Sequence, residues 1–295
     1  MDIVQIDNLS KNYGKVHALK QVNFSIPAGT VFGILGPNGS GKTTLLSIVM
    51  DVLKPNSGGV RLFGEKPSEF HRKQMGTLLE TPNFYHYLSG EQNLRISAAI
   101  KGRGEKDIDK VLQIVDLLKR KNSPFSTYSL GMKQRLAIAA ALLGDPEVLV
   151  FDEPTNGLDP VGIAEIRELI KKLSLQGKTI IMASHLLDEV EKVCTHVAIL
   201  KQGTLVACGD VNEILVNEDI VELASNDVEA LKVLCAKYPG TPEMAVSDSI
   251  IKLSFPAGKA NLQDINRFCF DNGIVLSYLN LKKKSLESKF FELTN

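Results

Sequence analysis

The most informative segment of this 295-residue sequence reads Gly36-Pro37-Asn38-Gly39-Ser40-Gly41-Lys42-Thr43 and is followed by Thr44. It fits the pattern G-x-x-x-x-G-K-[ST] at every fixed position, between a strand-like apolar run and a helix-like spacing of apolar residues. Glycines let backbone N–H groups turn towards phosphate oxygens, and the following helix directs its positive end at the same charge. The pattern therefore predicts a nucleotide-binding loop, in which Lys42 contacts the β and γ phosphates and Thr43 binds Mg²⁺. A glycine-rich turn with a chance lysine is the alternative, and the flanking pattern disfavours it.

A second apolar run, residues 148–151, ends at two carboxylates, Asp152 and Glu153. Such a run is typical of a strand buried on both faces, and ligands collect where these strands emerge from a sheet. Phosphoryl transfer needs a carboxylate on Mg²⁺ at this place, so Asp152 is predicted to be a metal ligand. Glu153 is predicted to be the general base that polarises the attacking water. N-capping of a following helix is the alternative for both side chains.

His185 follows another predicted strand, residues 179–183. The end of a parallel strand would bring its imidazole to the same edge as Asp152, where it could contact the γ phosphate or position the water. Histidine is also common on protein surfaces, so this interpretation depends on the neighbouring motifs.

The first 217 residues alternate strand-like and helix-like segments. The predicted strands are 3–6, 22–26, 31–35, 148–151, 179–183 and 197–200, and the predicted helices are 42–52, 133–143 and 161–176. Helical periodicity dominates 84–143, where apolar residues recur at three- and four-residue steps. This alternation predicts an α/β fold with a parallel sheet that is covered on both faces.

Residues 218–295 repeat this alternation on a smaller scale and are predicted to form a separate, small α+β accessory domain. The predicted strands are 220–223, 250–253 and 274–281, and the predicted helices are 227–238, 260–272 and 285–293. The lysine run 282–284 indicates a solvated turn or, alternatively, a contact with an anion.

Composition excludes several classes of function. Lys plus Arg and Asp plus Glu each number 34, and this zero net charge disfavours a nucleic-acid partner. The longest apolar runs are far shorter than the ~18 residues that cross a bilayer, and the first residues lack the order of a signal peptide. The four cysteines are widely spaced, which disfavours a zinc site or a redox dithiol. We therefore expect a cytoplasmic protein with reduced cysteines.

Taken together, the motifs resemble those of the ATP-binding subunit of an ABC transporter over residues 1 to about 215. The segment Ser129-Leu130-Gly131-Met132-Lys133-Gln134-Arg135 is similar to the family's signature. Gly157-Leu158-Asp159 resembles its D-loop and His185 its switch histidine. Tyr13 resembles the aromatic residue that stacks on adenine; an aromatic residue of an edge strand is the alternative, and the position relative to the phosphate-binding loop favours stacking. The resemblance implies an ABC-type P-loop NTPase domain at 1–217, with a parallel-sheet core, an antiparallel β subdomain and a helical subdomain at about 84–143.

The resemblance also implies that one subunit cannot complete the site. In a head-to-tail homo- or heterodimer, Ser129, Gly131 and Gln134 of one subunit would contact the ATP held by the other, beside Asp159 of the D-loop. ATP and Mg²⁺ are the implied cofactors. A transmembrane permease is the implied partner, and it would hold this chain at the inner face of the cell membrane.

The sequence departs from the usual pattern of the family in the signature and in the Q-loop. The signature has Tyr128 and Leu130 in place of Leu and Gly, while the phosphate-facing serine and glycine are retained. Glu80 stands where the Q-loop usually has Gln. We hypothesise that Glu80 is a ligand of Mg²⁺ that tunes coupling to the membrane partner.

The segment around Glu80 indicates one branch of the family, because it is similar to the corresponding segment in the ATPases of bacitracin and lantibiotic exporters. This implies export of, or resistance to, an antimicrobial peptide. Phe84, Tyr85 and Tyr87 lie in the same segment and are interpreted as anchors for the permease, with a place in the core as the alternative, most of all for Phe84.

Other functions remain open at this point. A non-transport ATPase of the same superfamily would act on a soluble partner, but such proteins generally carry two ATPase units or a coiled-coil insert. A binding subunit without turnover is disfavoured by the intact Asp152, Glu153 and His185. An exporter of another drug-like or lipid cargo is a further alternative.

Overall fold

The computed structural model describes residues 1–79, 83–214, 218–239, 243–247, 249–256, 258–283 and 290. The chain divides into two compact units, an N-terminal unit of Met1–Val211 and a C-terminal unit of Asn212–Asn295. In the described part of the chain, no helix has the length and apolarity that crossing a membrane requires.

The N-terminal unit contains strands and helices in alternation. Its strands are β1 (Asp2–Tyr13), β2 (Val16–Pro27), β3 (Val31–Leu35), β4 (Ser57–Leu62), β5 (Met75–Leu78), β6 (Val148–Asp152), β7 (Thr179–Ser184), β8 (His196–Lys201) and β9 (Thr204–Asp210). Its helices are α1 (Lys42–Val49), α2 (Glu69–Lys73), α3 (Gly90–Lys101), α4 (Ile108–Ile114), α5 (Leu130–Leu142), α6 (Pro160–Leu175) and α7 (Leu187–Val193), and α8 (Val211–Ile214) follows at the boundary.

A six-stranded sheet with the order β5-β6-β7-β3-β8-β9 forms the centre of this unit. The first five strands in this order, β5, β6, β7, β3 and β8, are parallel to one another, and β9 runs antiparallel to β8. Every residue of β3, β6 and β7 is buried, as continuous apolar strands between two covering layers require. The predicted parallel, doubly covered sheet is therefore confirmed, and the carboxyl ends of β3, β6 and β7 meet at one edge.

A second, antiparallel sheet has the order β2-β1-β4. One apolar core joins it to the central sheet, because Ile6 of β1, Leu46 of α1 and Phe32 of β3 belong to the same buried cluster. Full burial of such a side chain contributes about 1.5–3 kcal/mol, so α1 is fixed firmly between the two sheets. This helix ends at Val49 rather than at residue 52 as predicted, because Asp51 adopts a positive φ of 58°.

The helical region at 84–143 contains α3, α4 and α5. Helix α3 begins with a capping box, in which the Ser89 hydroxyl accepts from the Gln92 backbone N–H at 3.2 Å and the side-chain Oε1 of Gln92 accepts from the Ser89 N–H at 2.9 Å. Helix α5 begins at Leu130, three residues earlier than predicted, because Ser129 caps it.

In its described residues, the C-terminal unit contains an antiparallel sheet and, after α8, the helices α9 and α10. Its elements are β10 (Glu218–Ser225), α9 (Val228–Cys235), β11 (Glu243–Ser247), β12 (Ile250–Pro256), α10 (Leu262–Asp271) and β13 (Leu276–Lys283), with the strand order β11-β12-β10-β13. Val221, Leu231 and Ile265 belong to its apolar core. The sequence missed β11, which is a short and exposed edge strand. The helix predicted at 285–293 lies outside the described residues except for position 290.

Candidate nucleotide-binding site

The predicted phosphate-binding loop lies between β3 and α1, at the carboxyl edge of the central sheet. Gly41 is the N-cap residue of α1 and adopts a φ of +105°. It offers no side chain to cap the helix, so the first N–H groups of α1 stay available for an anion. Pro37, Asn38, Gly39 and Thr43 are exposed, which leaves the outer face of the loop open to a ligand.

The Lys42 ammonium lies at the centre of the loop and is only 6% exposed. It donates to the carbonyl oxygens of Gly36 at 2.9 Å and Pro37 at 3.3 Å, and its Nζ lies 3.5 Å from Oε1 of Glu153. A buried cation needs such partners, because removal from water costs several kcal/mol. Lys42 therefore links the loop after β3 to the Glu153 carboxylate, which follows β6; one strand, β7, separates β3 from β6 in the sheet.

Glu153 lies between Lys42 and His185, which are far apart in the sequence. Its Oε2 lies 2.8 Å from Nδ1 of His185, and its backbone N–H donates to the Ala183 carbonyl at 3.0 Å. The residue adopts a φ of +48°, a left-handed conformation that costs about 1–3 kcal/mol for a non-glycine residue. The neighbouring contacts hold it there, so the carboxylate is aimed at a fixed point on the sheet edge. Asp152, the last residue of β6, is buried beside it.

Two buried hydroxyl groups fit the presence of a further ligand. Among the described residues, Ser40 Oγ and Thr155 Oγ1 are buried without a hydrogen-bond partner. A buried hydroxyl in this state costs about 1–3 kcal/mol, and phosphate oxygens or metal-bound water would satisfy it. Sequence reasoning missed Thr155, whose one signal was its place two residues after Glu153.

The same residues fit Mg²⁺ only together with a nucleotide. The described residues contain no cluster of three His, Cys, Asp or Glu side chains that could hold a metal. Mg²⁺ is usually bound by one or two protein oxygens together with substrate phosphates and water. Thr43 and Asp152 are suited to this arrangement. Glu80, the third predicted ligand, lies outside the described residues.

The signature segment lies at the start of α5. Ser129 is the N-cap residue, and its hydroxyl accepts from the Met132 N–H at 3.3 Å. Among the described residues, none lies within 4 Å of a Cβ added at Gly131, whereas Gln134 is buried. Within the described residues, no hydrogen bond or ion pair joins Ser129, Gly131 or Gln134 to Lys42 of the same chain.

Both departures in the signature have a local structural explanation. Tyr128 is buried, and its hydroxyl donates to the Arg120 carbonyl at 2.8 Å, so it serves the core of the helical region. Leu130 is half exposed and lies against Gly157, where an added Cβ would be 3.3 Å from its Cδ2. The signature and the D-loop segment therefore touch within one chain.

Asp159 and Tyr13 lie at the boundaries of two elements, α6 and β1. Asp159 is the N-cap residue of α6 and accepts from the Gly162 N–H at 2.8 Å. Tyr13 ends β1 and is half exposed, with the Lys11 ammonium 5.4 Å from its ring centre. The side chain is therefore partly accessible to a ligand.

The predicted aromatic anchors divide into one partly buried residue and two exposed residues. Phe84 packs edge-on against Phe125 at 5.2 Å, whereas Tyr85 and Tyr87 are exposed and lie 6.0 Å apart. The buried Asn93 side chain fixes this loop, since it accepts from the Tyr85 N–H at 2.8 Å and donates to the Tyr85 carbonyl at 3.1 Å. A cavity of about 330 Å³ lies beside these residues.

Comparisons with known proteins agree with this geometry. The family model of the ABC transporter matches residues 19–156. The bacitracin transport ATP-binding protein BcrA of Enterococcus faecalis is 38% identical, over 99% of this chain and 96% of that protein. The lantibiotic transport ATP-binding protein SrtF of Streptococcus pyogenes is 37% identical, over 77% of this chain and 97% of that protein. The solved post-hydrolysis dimer of the ATP-binding cassette MJ0796, bound to ADP and Pi, matches with a TM-score of 0.63 and 28% identity, over 70% of this chain and 98% of that one.

Proposed function

The chain belongs to the ABC transporter ATP-binding proteins, and we propose that it hydrolyses ATP to drive a separate permease that exports, or confers resistance to, an antimicrobial peptide such as bacitracin or a lantibiotic. The full-length similarity to BcrA supports this class of cargo, because it includes the C-terminal unit. In this proposal the permease holds the chain at the cytoplasmic face of the membrane.

One observation carries the ATPase assignment, namely the Glu153 carboxylate held between the Lys42 ammonium and the His185 imidazole. In the proposed reaction Glu153 accepts a proton from the attacking water as general base. His185 orients this carboxylate through Nδ1, and Lys42 binds the phosphate chain with the N–H groups of the loop. Thr43 and Asp152 would hold Mg²⁺, which would neutralise part of the phosphate charge when bound with the nucleotide.

The remaining site residues are proposed to act across a dimer. Ser129, Gly131 and Gln134 at the start of α5 would clamp the nucleotide of the partner subunit, since a helix N-terminus is a suitable anion site. Asp159 would contribute from the D-loop, and Tyr13 would stack on the adenine. The dimeric state of the related cassette supports this arrangement. In the dimer, ATP joins the subunits and its hydrolysis releases them.

The surface around Tyr85 and Tyr87 is proposed to receive the permease. Exposed aromatic side chains with little conformational freedom are frequent anchors in protein interfaces. We assign residues 1–217 to the nucleotide-binding domain and 218–295 to an accessory domain, which braces the dimer or regulates it.

The test is purification of the Glu153→Gln chain from its native membranes with ATP and Mg²⁺. Loss of the base predicts a fall in ATP turnover of about 10²- to 10⁴-fold with ATP binding retained, and an ATP-dependent dimer that co-purifies with a polytopic membrane protein. The control is Glu105→Gln, which removes an exposed carboxylate of the helical region. Unchanged turnover would contradict the role of Glu153 as base. Soluble companions alone would refute transport while leaving the ATPase assignment intact.

A further inference from the structure

Helix α6 is tied to the next helix along the chain, α7, by a two-point ion pair. Nη1 of Arg167 lies 3.0 and 2.9 Å from the two carboxylate oxygens of Glu189. The side chains are only 21% and 14% exposed, so water screens this pair less than an ordinary surface pair. Hydrogen bonds between two charged groups are shorter and stronger than neutral ones, so this pair holds α6 to α7 at this point.

The same helix is tied on another side to α5. Glu165 of α6 forms an ion pair with Arg135 of α5, and the Arg135 side chain is 17% exposed. A cavity of about 450 Å³ lies beside this pair, with Ile114 of α4 and Val161 and Leu169 of α6 in its lining. Apolar side chains leave this space unfilled, so the ion pair bridges a region where close packing between the helices is incomplete.

The three connected helices begin at the signature segment, the D-loop segment and the predicted switch histidine. Helix α5 begins after Ser129, α6 after Asp159, and α7 two residues after His185. A helix is stiff over this length, so a displacement at one N-terminus moves the ion pairs that lie farther along it. A shift of the signature segment would therefore pass from α5 to α6 through the first pair, and from α6 to α7 and His185 through the second.

We propose that Arg135–Glu165 and Arg167–Glu189 link the signature helix to the switch histidine through α6, which makes these four side chains positioning residues for ATP hydrolysis. Engagement of Ser129 and Gly131 by the nucleotide of a partner subunit then sets the position of His185, and through it that of Glu153. The inference rests on the proposed ATPase function and assigns no contact with ATP to the four residues.

The test compares Arg167→Ala with a charge exchange, Arg167→Glu combined with Glu189→Arg. Glu189 retains Lys192 at 3.3 Å when Arg167 is removed, so the single variant leaves no isolated buried charge and should fold. Turnover and ATP affinity are measured on the full chain with any membrane protein that co-purifies with it. We expect Arg167→Ala to lower kcat about 10- to 100-fold while the Kd for ATP changes less than twofold, since misplacement of catalytic groups affects the chemical step.

Rescue separates positioning from a merely structural role. The charge exchange should restore part of kcat rather than all of it, because the exchanged groups also lie near Glu168 and Lys192, which then carry like charge. Arg167→Lys should restore less, because the shorter side chain does not carry its ammonium to the position that Nη1 of Arg167 occupies. The matched control is Lys171→Ala on the same helix, which removes an exposed pair with Glu168 at 3.2 Å that does not reach another helix. Glu165→Gln tests the second pair in the same assay and should also lower kcat selectively.

The outcomes distinguish this inference from the proposed function. A wild-type chain that does not hydrolyse ATP refutes the proposed function. A wild-type chain that does, with Arg167→Ala equal to Lys171→Ala in kcat, overturns the link. Equal loss of kcat, ATP affinity and thermal stability in Arg167→Ala, without rescue by the charge exchange, also overturns it, because the pair would then only support the fold.

Discussion

Adding one methyl group at two glycines of the phosphate-binding loop should have very different effects. At Gly41, φ is +105°, and an added Cβ would lie 2.5 Å from the Ala18 carbonyl oxygen and 2.9 Å from Cδ2 of Leu19. At Gly39, φ is +79° and the added Cβ would have no neighbour within 4 Å. Gly39→Ala is therefore a matched control that shares the positive φ and lacks the collision.

The expected loss of stability has two contributions, the positive φ and the collision of the added Cβ. A positive φ costs a non-glycine residue about 1–2 kcal/mol, and this applies to both variants. At Gly41 the backbone of β2 cannot retreat without disturbing its pairing with β1, and overpacking of this kind adds about 1–3 kcal/mol. We expect Gly41→Ala to be less stable than Gly39→Ala by about 2 kcal/mol. For a unit of this size, that corresponds to a Tm lower by about 4–8 °C.

The assay is thermal unfolding without nucleotide, followed by titration with ATP. Gly41→Ala should also lose ATP affinity, because the collision displaces the first turn of α1 and the Lys42 side chain that it carries. Equal Tm values for the two variants would refute this reasoning, since they would show that the loop moves aside at no cost.

Three further predictions concern other parts of the chain. Burial lowers the pKa of Lys101 from 10.5 to about 8, so the unfolded chain binds this proton more tightly than the folded chain does. The free energy of unfolding should therefore rise between pH 8 and 10.5, by at most about 3 kcal/mol. Urea titrations of Lys101→Met over this pH range should lack this part of the rise. Tyr13→Ala should weaken ATP binding about tenfold and Tyr13→Phe little, because stacking of a base on an aromatic ring contributes about 1–3 kcal/mol; equal Kd values from fluorescent nucleotide titration would exclude the stacking role. The buried Asp219 accepts from the N–H groups of Gly258 at 2.8 Å and Ala260 at 3.3 Å, so Asp219→Ala should destabilise the C-terminal unit by about 1–3 kcal/mol in hydrogen exchange, and unchanged exchange there would contradict this.

The central sheet was predictable because its signals are local and strong. The run at 148–151 is apolar throughout, and the same pattern that predicts burial also predicts that Asp152 emerges at an edge. The loop at 36–43 combines a fixed spacing with a strand before it and a helix after it. These features depend on near neighbours in the sequence, so one sequence was sufficient to find them.

Other features depend on distant partners and left no local signal. Strand β11 is too short and too exposed to show an alternation of apolar residues. It forms a strand because it pairs with β12. The positive φ of Glu153 depends on contacts with Ala183 and His185, some 30 residues away. The pair between Arg167 and Glu189 spans two helices whose surface charges show no distinctive spacing. The first strands were also predicted too short, because β1 and β2 extend through polar residues that their pairing stabilises.

The order of strands in the central sheet has a consequence for synthesis of the chain. Strand β3 lies between β7 and β8, so Val31 pairs with a residue about 150 positions later, Ile180. Translation at about 5–20 residues per second needs roughly 8–30 s to make that partner. During this interval an apolar strand and the loop that follows it have no sheet to join. Nascent chains should therefore acquire ATP affinity late and abruptly, once β7 has been synthesised. Until then they depend on a chaperone, or on rapid translation, to avoid aggregation.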